Sequence, residues 1–118
     1  MRQVSGLTMP RYDVLMQLES AGGRLGLSDL AEAVVLSPSG LSKLLDRMSE
    51  SGLVTREPDA ADARSTFAMI TPHGRATVRK ARKGHHSFLQ QTFGDALDTR
   101  DLDNLVKIMA RIDERSRQ

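Results

Sequence analysis

The stretch that most restricts the fold is Ser37 to Gly52, SPSGLSKLLDRMSESG, because both ends of a helix are written into it. The Ser37 hydroxyl can accept from the free N–H groups of a first turn, and Pro38 stands where a missing N–H costs nothing. Gly52 can take the left-handed conformation that stops a helix. Between them, Leu41, Leu44, Leu45 and Met48 recur at i, i+3, i+4 and i+7 and make one apolar stripe. The other face carries Ser39, Ser42, Lys43, Asp46 and Arg47. Short hydroxyls followed by two long cations suit a helix entering a DNA major groove end-first. An ordinary amphipathic helix with a solvated face has the same pattern, so the neighbouring segments must decide.

Residues 1–7 read as irregular. Thr8 can cap a helix over MPRYDVLMQLES with Pro10 in its first turn, and Leu7 with Tyr12 can form a hydrophobic staple. Tyr12, Leu15, Met16 and Leu18 supply the inner side, and Ala21-Gly22-Gly23 ends it. Residues 24–27 form an extended link or stub strand. Ser28 or Asp29 caps a short helix, DLAEAV, with Leu30, Ala31 and Val34 inward. Val35-Leu36 then turns the chain into the helix at Pro38, which is the helix-turn-helix pattern. Past Gly52, Leu53 to Glu57 and Ser65 to Ile70 alternate like strands around Pro58 and a charged turn, PDAADAR. A hairpin placed there makes a winged helix. Thr71-Pro72 opens a long helix that Gly94 stops after Phe93. Its inner stripe is Val78, Ala81, His85, Phe88, Leu89 and Thr92, and Gly84 allows a bend. Thr99 caps a last helix with a near-heptad seam of Leu102, Leu105, Val106, Met109 and Ile112, and residues 113–118 are expected to fray. The expected fold class is mainly α with a small β-hairpin wing: a winged helix-turn-helix lobe over 7–71, followed by C-terminal dimerisation helices over 72–118, in one compact domain.

Composition narrows the function. Without cysteine there is no disulfide framework, thiolate zinc site or cysteine redox switch. No apolar run is long enough for a membrane span, and the first ten residues lack a signal-peptide pattern, so a cytoplasmic protein is expected. Net charge is +2, with seven Lys/Arg against nine Asp/Glu over 1–71 and ten against six over 72–118. Global charge is therefore a weak argument for nucleic acid, and placement must carry it. The only aromatics, Tyr12, Phe67, Phe88 and Phe93, are too few for a base-stacking single-strand binder. No P-loop, nucleophile elbow or glycine-rich dinucleotide turn is present, so no enzyme and no cofactor are expected.

Ser37, Pro38, Ser39, Ser42, Lys43 and Arg47 are the candidate major-groove set. Ser37 and Pro38 also serve as plain helix-starting residues, and Asp46 suits an ion pair with Arg47 or Lys43. Arg64 at the hairpin tip suits a narrow minor groove, with Asp62 two residues away to orient its guanidinium. Arg56 is a candidate phosphate contact, and Arg24 a weaker one. Arg75, Arg79, Arg82 and Lys83 form a basic stripe, either a phosphate-contacting flank or a solvated face. His85 and His86 point to different helix faces and lack a ligand at i+4, so no metal site is expected. His85 reads as a core or pocket-lining histidine able to respond to pH. Tyr12, Leu15, Met16, His85, Phe88 and Leu89 are either a small-ligand pocket or plain core.

Taken in order, LTMPRYDVLMQL, LSDLAEAVVLSPSGLSKLLDRMSESGLVTREPDAADARS and ITPHGRA make a chain that resembles the MarR family of winged helix-turn-helix transcription regulators. The resemblance covers most of residues 7–83. It implies a sequence-specific regulator, a repressor by type, that acts as a homodimer on double-stranded DNA with a pseudo-palindromic operator. It places the helix matching 37–51 in the major groove and the wing, 57–66, in the minor groove, with Asp62 holding Arg64 by a salt bridge. It also implies a small aromatic effector bound between the DNA-binding lobe and the dimerisation helices. Family members carry a long helix before the LTMPRYDVL match, whereas six residues precede Leu7 here. The dimer is accordingly expected to rely on residues 72–118. A winged-helix module that binds protein and not DNA is the alternative that the slightly acidic N-terminal half leaves open.

Overall fold

The computed structural model describes residues 3–4, 7–62 and 64–116, with side chains described for 7–62 and 64–112. Along the chain come β1 (Gln3–Val4), β2 (Leu7–Thr8), α1 (Met9–Ser20), β3 (Arg24–Gly26), α2 (Leu27–Val34) and α3 (Pro38–Glu50). The wing strands β4 (Val54–Pro58) and β5 (Thr66–Ile70) follow, then α4 (Pro72–Phe93), a 3-10 turn at Gly94–Ala96, and α5 (Thr99–Ser116). This is a mainly helical winged helix with a three-stranded antiparallel sheet ordered β3-β5-β4.

The ends of α3 follow from its own sequence. Ser37 Oγ accepts from Gly40 N at 3.1 Å, and Pro38 occupies the first turn. At the other end Gly52 has φ +75°. Gly52 N donates to Ser49 O at 3.0 Å and Leu53 N to Met48 O at 2.9 Å, the paired bonds of a Schellman stop. Leu41, Leu45 and Met48 are buried and Leu44 is half-buried, so the stripe is the inner face as expected.

The wing pairs from Val54↔Ile70 to Pro58↔Thr66, so Pro58 is the last strand residue and not the first beyond it. Residues 24–26 do form a strand, with Arg24↔Met69 to Gly26↔Phe67 against β5. At the wing exit, Thr71 joins three elements. Its N–H donates to Leu53 O at 3.1 Å, and its hydroxyl donates to Gly52 O at 2.6 Å and accepts from Gly74 N at 2.9 Å. Helix α4 therefore starts pressed against the end of α3. A side chain at Gly74 would collide with the Leu53 carbonyl oxygen and crowd Ile70 Cγ1 at 2.9 Å.

Several expectations need correction. Residues 3–4 and 7–8 pair as a small antiparallel ladder where irregular chain was expected. Thr8 precedes α1 in that ladder, and its side chain makes no cap bond. Helix α2 begins at Leu27 with Gly26 before it, ahead of Ser28 and Asp29. Helix α4 runs unbroken through Gly84. Asp98, not Thr99, caps α5: Asp101 N donates to Asp98 Oδ1 at 2.8 Å and Asp98 N to Asp101 Oδ2 at 3.2 Å, a reciprocal capping box. The backbone of α5 stays helical to Ser116, and residues 117 and 118 of the expected frayed end lie outside the described residues.

One buried cluster runs from Val14, Leu15 and Leu18 through Leu30, Leu41, Leu45, Met48, Val54 and Ala68 to Val78, Ala81, Leu102 and Val106. Residues 7–71 and 72–118 thus share a core. The inner side of α5 follows Leu102, Val106 and Ala110, while Leu105 and Met109 are partly buried and Ile112 is exposed. On α4, Val78, Ala81, His85 and Leu89 are buried, but Phe88 is 57% exposed and Thr92 is exposed. The i+4 row 81-85-89 faces the core, and Phe88 falls outside it.

Candidate nucleic-acid interface

The outer face of α3 presents Ser39, Lys43, Asp46 and Arg47 to solvent, with Ser42 half-buried at its edge. Lys43 and Arg47 make no ion pair among the described residues. Ser37 spends its hydroxyl on the cap, with Ser39 Oγ 3.4 Å away, and Pro38 is exposed in the first turn. Asp46 does not pair with Lys43 or Arg47. Its carboxylate holds the Arg56 guanidinium of β4, which ties the wing to α3. The outward side of β4 and the outer face of α3 are neighbours in space, which no spacing in the sequence reveals.

The wing tip is shaped by two aspartates. Asp59 Oδ1 accepts from Ala61 N at 2.9 Å, and Asp62 Oδ1 from Arg64 N at 3.0 Å. Asp62 Oδ2 accepts from Ser65 Oγ at 3.3 Å. Such side-chain turns fix a loop without any core beneath it. The Arg64 side chain is 94% exposed, with Nε 3.6 Å from Asp62 Oδ1. Asp62 therefore sets both the backbone and the direction of Arg64, and leaves the end of the guanidinium free to meet a partner.

Arg24, Arg75, Arg79 and Arg82 are engaged within the molecule. The Arg24 guanidinium lies 3.9 Å from the centroid of the Phe67 ring. Glu19, at the end of α1, receives Arg79 Nη2 at 2.9 Å and Arg75 Nη1 at 3.6 Å. Asp103 on α5 receives Arg82 through Nε at 3.0 Å and Nη2 at 2.9 Å, and His86 Nε2 at 2.7 Å. Three members of the basic stripe, Arg75, Arg79 and Arg82, thus clamp α4 to α1 and α5, while Arg79 and Lys83 remain exposed to solvent. Glu19 and Asp103 were not singled out in the sequence, and their partners lie 60 and 21 residues away. Burial would push the Asp103 carboxyl up, but the bonds from Arg82 and His86 hold it below its ordinary range. The bond to Asp103 raises Arg82.

The six residues expected as pocket or core divide. Leu15 and Leu89 are closed in the core, and Phe88 points away from it. Tyr12 and His85 are buried against each other, with ring centroids 4.3 Å apart at 69°. Met16 lines two clefts between α1 and the C-terminal helices. The larger, of about 600 Å³, adds Glu19, Ser20, Arg79, Arg82, Lys83, His86 and Asp103. The smaller, of about 320 Å³, is lined by Tyr12, Asp13, Met16, Gln17, Ser20, Asp103, Asn104 and Lys107. Asp13 is buried, which pushes its carboxyl up against the opposing effect of a bond from Gln17. Among the described residues no group of three His, Asp or Glu is placed to hold a metal ion, and no helix is long and apolar enough to cross a membrane.

A helix-turn-helix with a cation-tipped wing defines a winged-helix transcriptional regulator, a DNA-binding class. The chain belongs to the MarR family, whose model matches residues 5–65. In three dimensions it is similar to AbsC, a MarR family transcriptional regulator from Streptomyces coelicolor, with TM-score 0.72 and 40% identity over 95% of this chain and 76% of that one. A second MarR family regulator of that organism, solved in complex with DNA, superposes with TM-score 0.71 and 29% identity, covering 92% of this chain and 69% of the other. The HTH-type transcriptional regulator YfiV of Bacillus subtilis is 38% identical over 80 residues, which is 67% of this chain and 49% of YfiV. The family and these neighbours are regulators and not enzymes.

Proposed function

We propose that this protein is a cytoplasmic, homodimeric repressor that grips a pseudo-palindromic operator with α3 in the major groove and the wing in the minor groove. The observation that carries the wing role is Arg64, presented to solvent at a tip where Asp59 and Asp62 accept from the Ala61 and Arg64 backbone. An exposed guanidinium on a braced turn is what a narrow minor groove attracts. Ser39, Ser42, Lys43 and Arg47 read or anchor in the major groove, with Ser37 and Pro38 starting the helix against the backbone. Arg56, held by Asp46, acts by fixing the wing to α3 and only secondarily at a phosphate. The dimer uses residues 72–118, and a small aromatic effector enters the clefts beside Tyr12 and Met16, between α1 and the C-terminal helices.

The test is a gel-shift titration of Arg64→Ala on a duplex selected from a random-sequence pool. Specific binding should weaken by ~1–3 kcal/mol while the melting curve stays in place. Unchanged affinity would remove the wing from the interface.

A further inference from the structure

Three polar atoms in the core have no hydrogen-bond partner among the described residues: Tyr12 Oη and both ring nitrogens of His85. They belong to one contact, with Tyr12 on α1 and His85 on α4 exposed by only 3% and 4%. A neutral imidazole left unpaired there is already costly, and a protonated one would place two donors and a charge where nothing accepts. Around the pair stand Asp13 and Glu19 of α1, Arg82 and His86 of α4, and Asp103 of α5. None of them bonds the His85 ring. Asp103 is held by Arg82 and His86, Glu19 by Arg75 and Arg79 through Oε1, and burial raises the Asp13 carboxyl against the opposing pull of Gln17, Lys107 and Arg111.

We propose that the Tyr12–His85 contact is an acid-responsive latch: a proton on His85 forces α1 away from α4 and releases DNA. Helix α1 packs on α2, the first helix of the helix-turn-helix, so parting this seam moves the reading head relative to the helices that join two subunits. The sign follows from burial. Desolvation lowers the pKa of His85 below its ordinary 6.5, and His86 adds to the effect. A base whose folded pKa is depressed takes up its proton more readily in the opened state. The latch is therefore fully closed above about pH 6.5 and weakens as pH falls below it.

The release of DNA rests on the DNA-binding reading above, and the experiment separates the two. Tyr12 is the one tyrosine of a chain without tryptophan, so tyrosine emission reports this contact alone. Emission of the full chain, followed from about pH 7.5 to about pH 5, should titrate with a midpoint below 6.5. The step should vanish in His85→Leu, with His85→Gln as a second non-titrating variant in case leucine prevents folding. Over the same range the wild-type chain should lose roughly tenfold more affinity than either variant for a duplex it selected at neutral pH, a coupling of ordinary size between linked sites. A flat emission profile, or a step that survives in both variants, overturns the latch. Titrating emission with unchanged relative affinity overturns its control of DNA. If no duplex is bound at any pH, the DNA reading fails, and the emission profile still decides the latch.

Discussion

Gly74 shows how far a single position governs this fold. The N-terminus of α4 lies so close to the end of α3 that a Cβ at Gly74 has no room beside the Leu53 carbonyl. That carbonyl also accepts from Thr71 N, so it cannot retreat without breaking the junction between wing and helix. Gly74→Ala, normally favourable inside a helix, should here destabilise by ~1–3 kcal/mol or more through overpacking. A urea titration checks it, and an unchanged or raised midpoint would show that α4 can shift freely. Arg64 is the opposite case. It touches almost nothing in its own molecule, so its loss should appear in DNA binding and not in stability.

At the scale of elements, α3 is both a core helix and a reading surface. Leu45 is fully buried on its inner face, so Leu45→Ala should cost ~2–5 kcal/mol, read from the shift of the unfolding midpoint. A midpoint left in place would mean the buried face is misassigned. Packing of α4 on α5 gains an ionic clamp from Asp103, whose folded pKa lies below its ordinary 3.8. Its carboxylate stabilises above that value and loses the effect as pH falls through the folded pKa. Asp103→Asn should remove on the order of 1 kcal/mol near neutrality, since both partners are partly exposed. The difference between variant and wild type should shrink below about pH 4, as urea midpoints at several pH values would reveal.

These elements also mark what the sequence makes legible. The ends of α3 and the start of α4 are decided locally by Ser37, Gly52, Thr71 and their neighbours, and local signals can be read. The α5 cap fell to Asp98 because an aspartate with Asp101 three residues on accepts and donates reciprocally, a competition that Thr99 loses. The roles of Asp46, Glu19 and Asp103 depend on which helices meet, so spacing along the chain carries no trace of them. Phe88 was misplaced because a helical stripe defines a face only to within one residue at its edges.

For the whole molecule, the proposed homodimer makes its own demand on the surface. One copy offers a single α3 and a single wing, and half-sites on duplex DNA lie about one helical turn, ~34 Å, apart. A twin subunit must cover apolar surface, and the C-terminal half leaves Phe88, Phe93 and Ile108 about half exposed. Covering the exposed half of each is worth roughly 1 kcal/mol, so the six such side chains of two subunits offset the low end of the entropic cost only if most of them are covered. Phe88→Glu combined with Ile108→Glu should therefore halve the mass seen by light scattering and leave the monomer folded, because neither side chain supports the core. The same variant should bind a two-half-site duplex no better than a single half-site, and its affinity should fall less steeply with salt than that of the wild type, since half the phosphate contacts are lost. If the double variant stays dimeric and keeps its salt slope, the pairing surface lies elsewhere than residues 72–118.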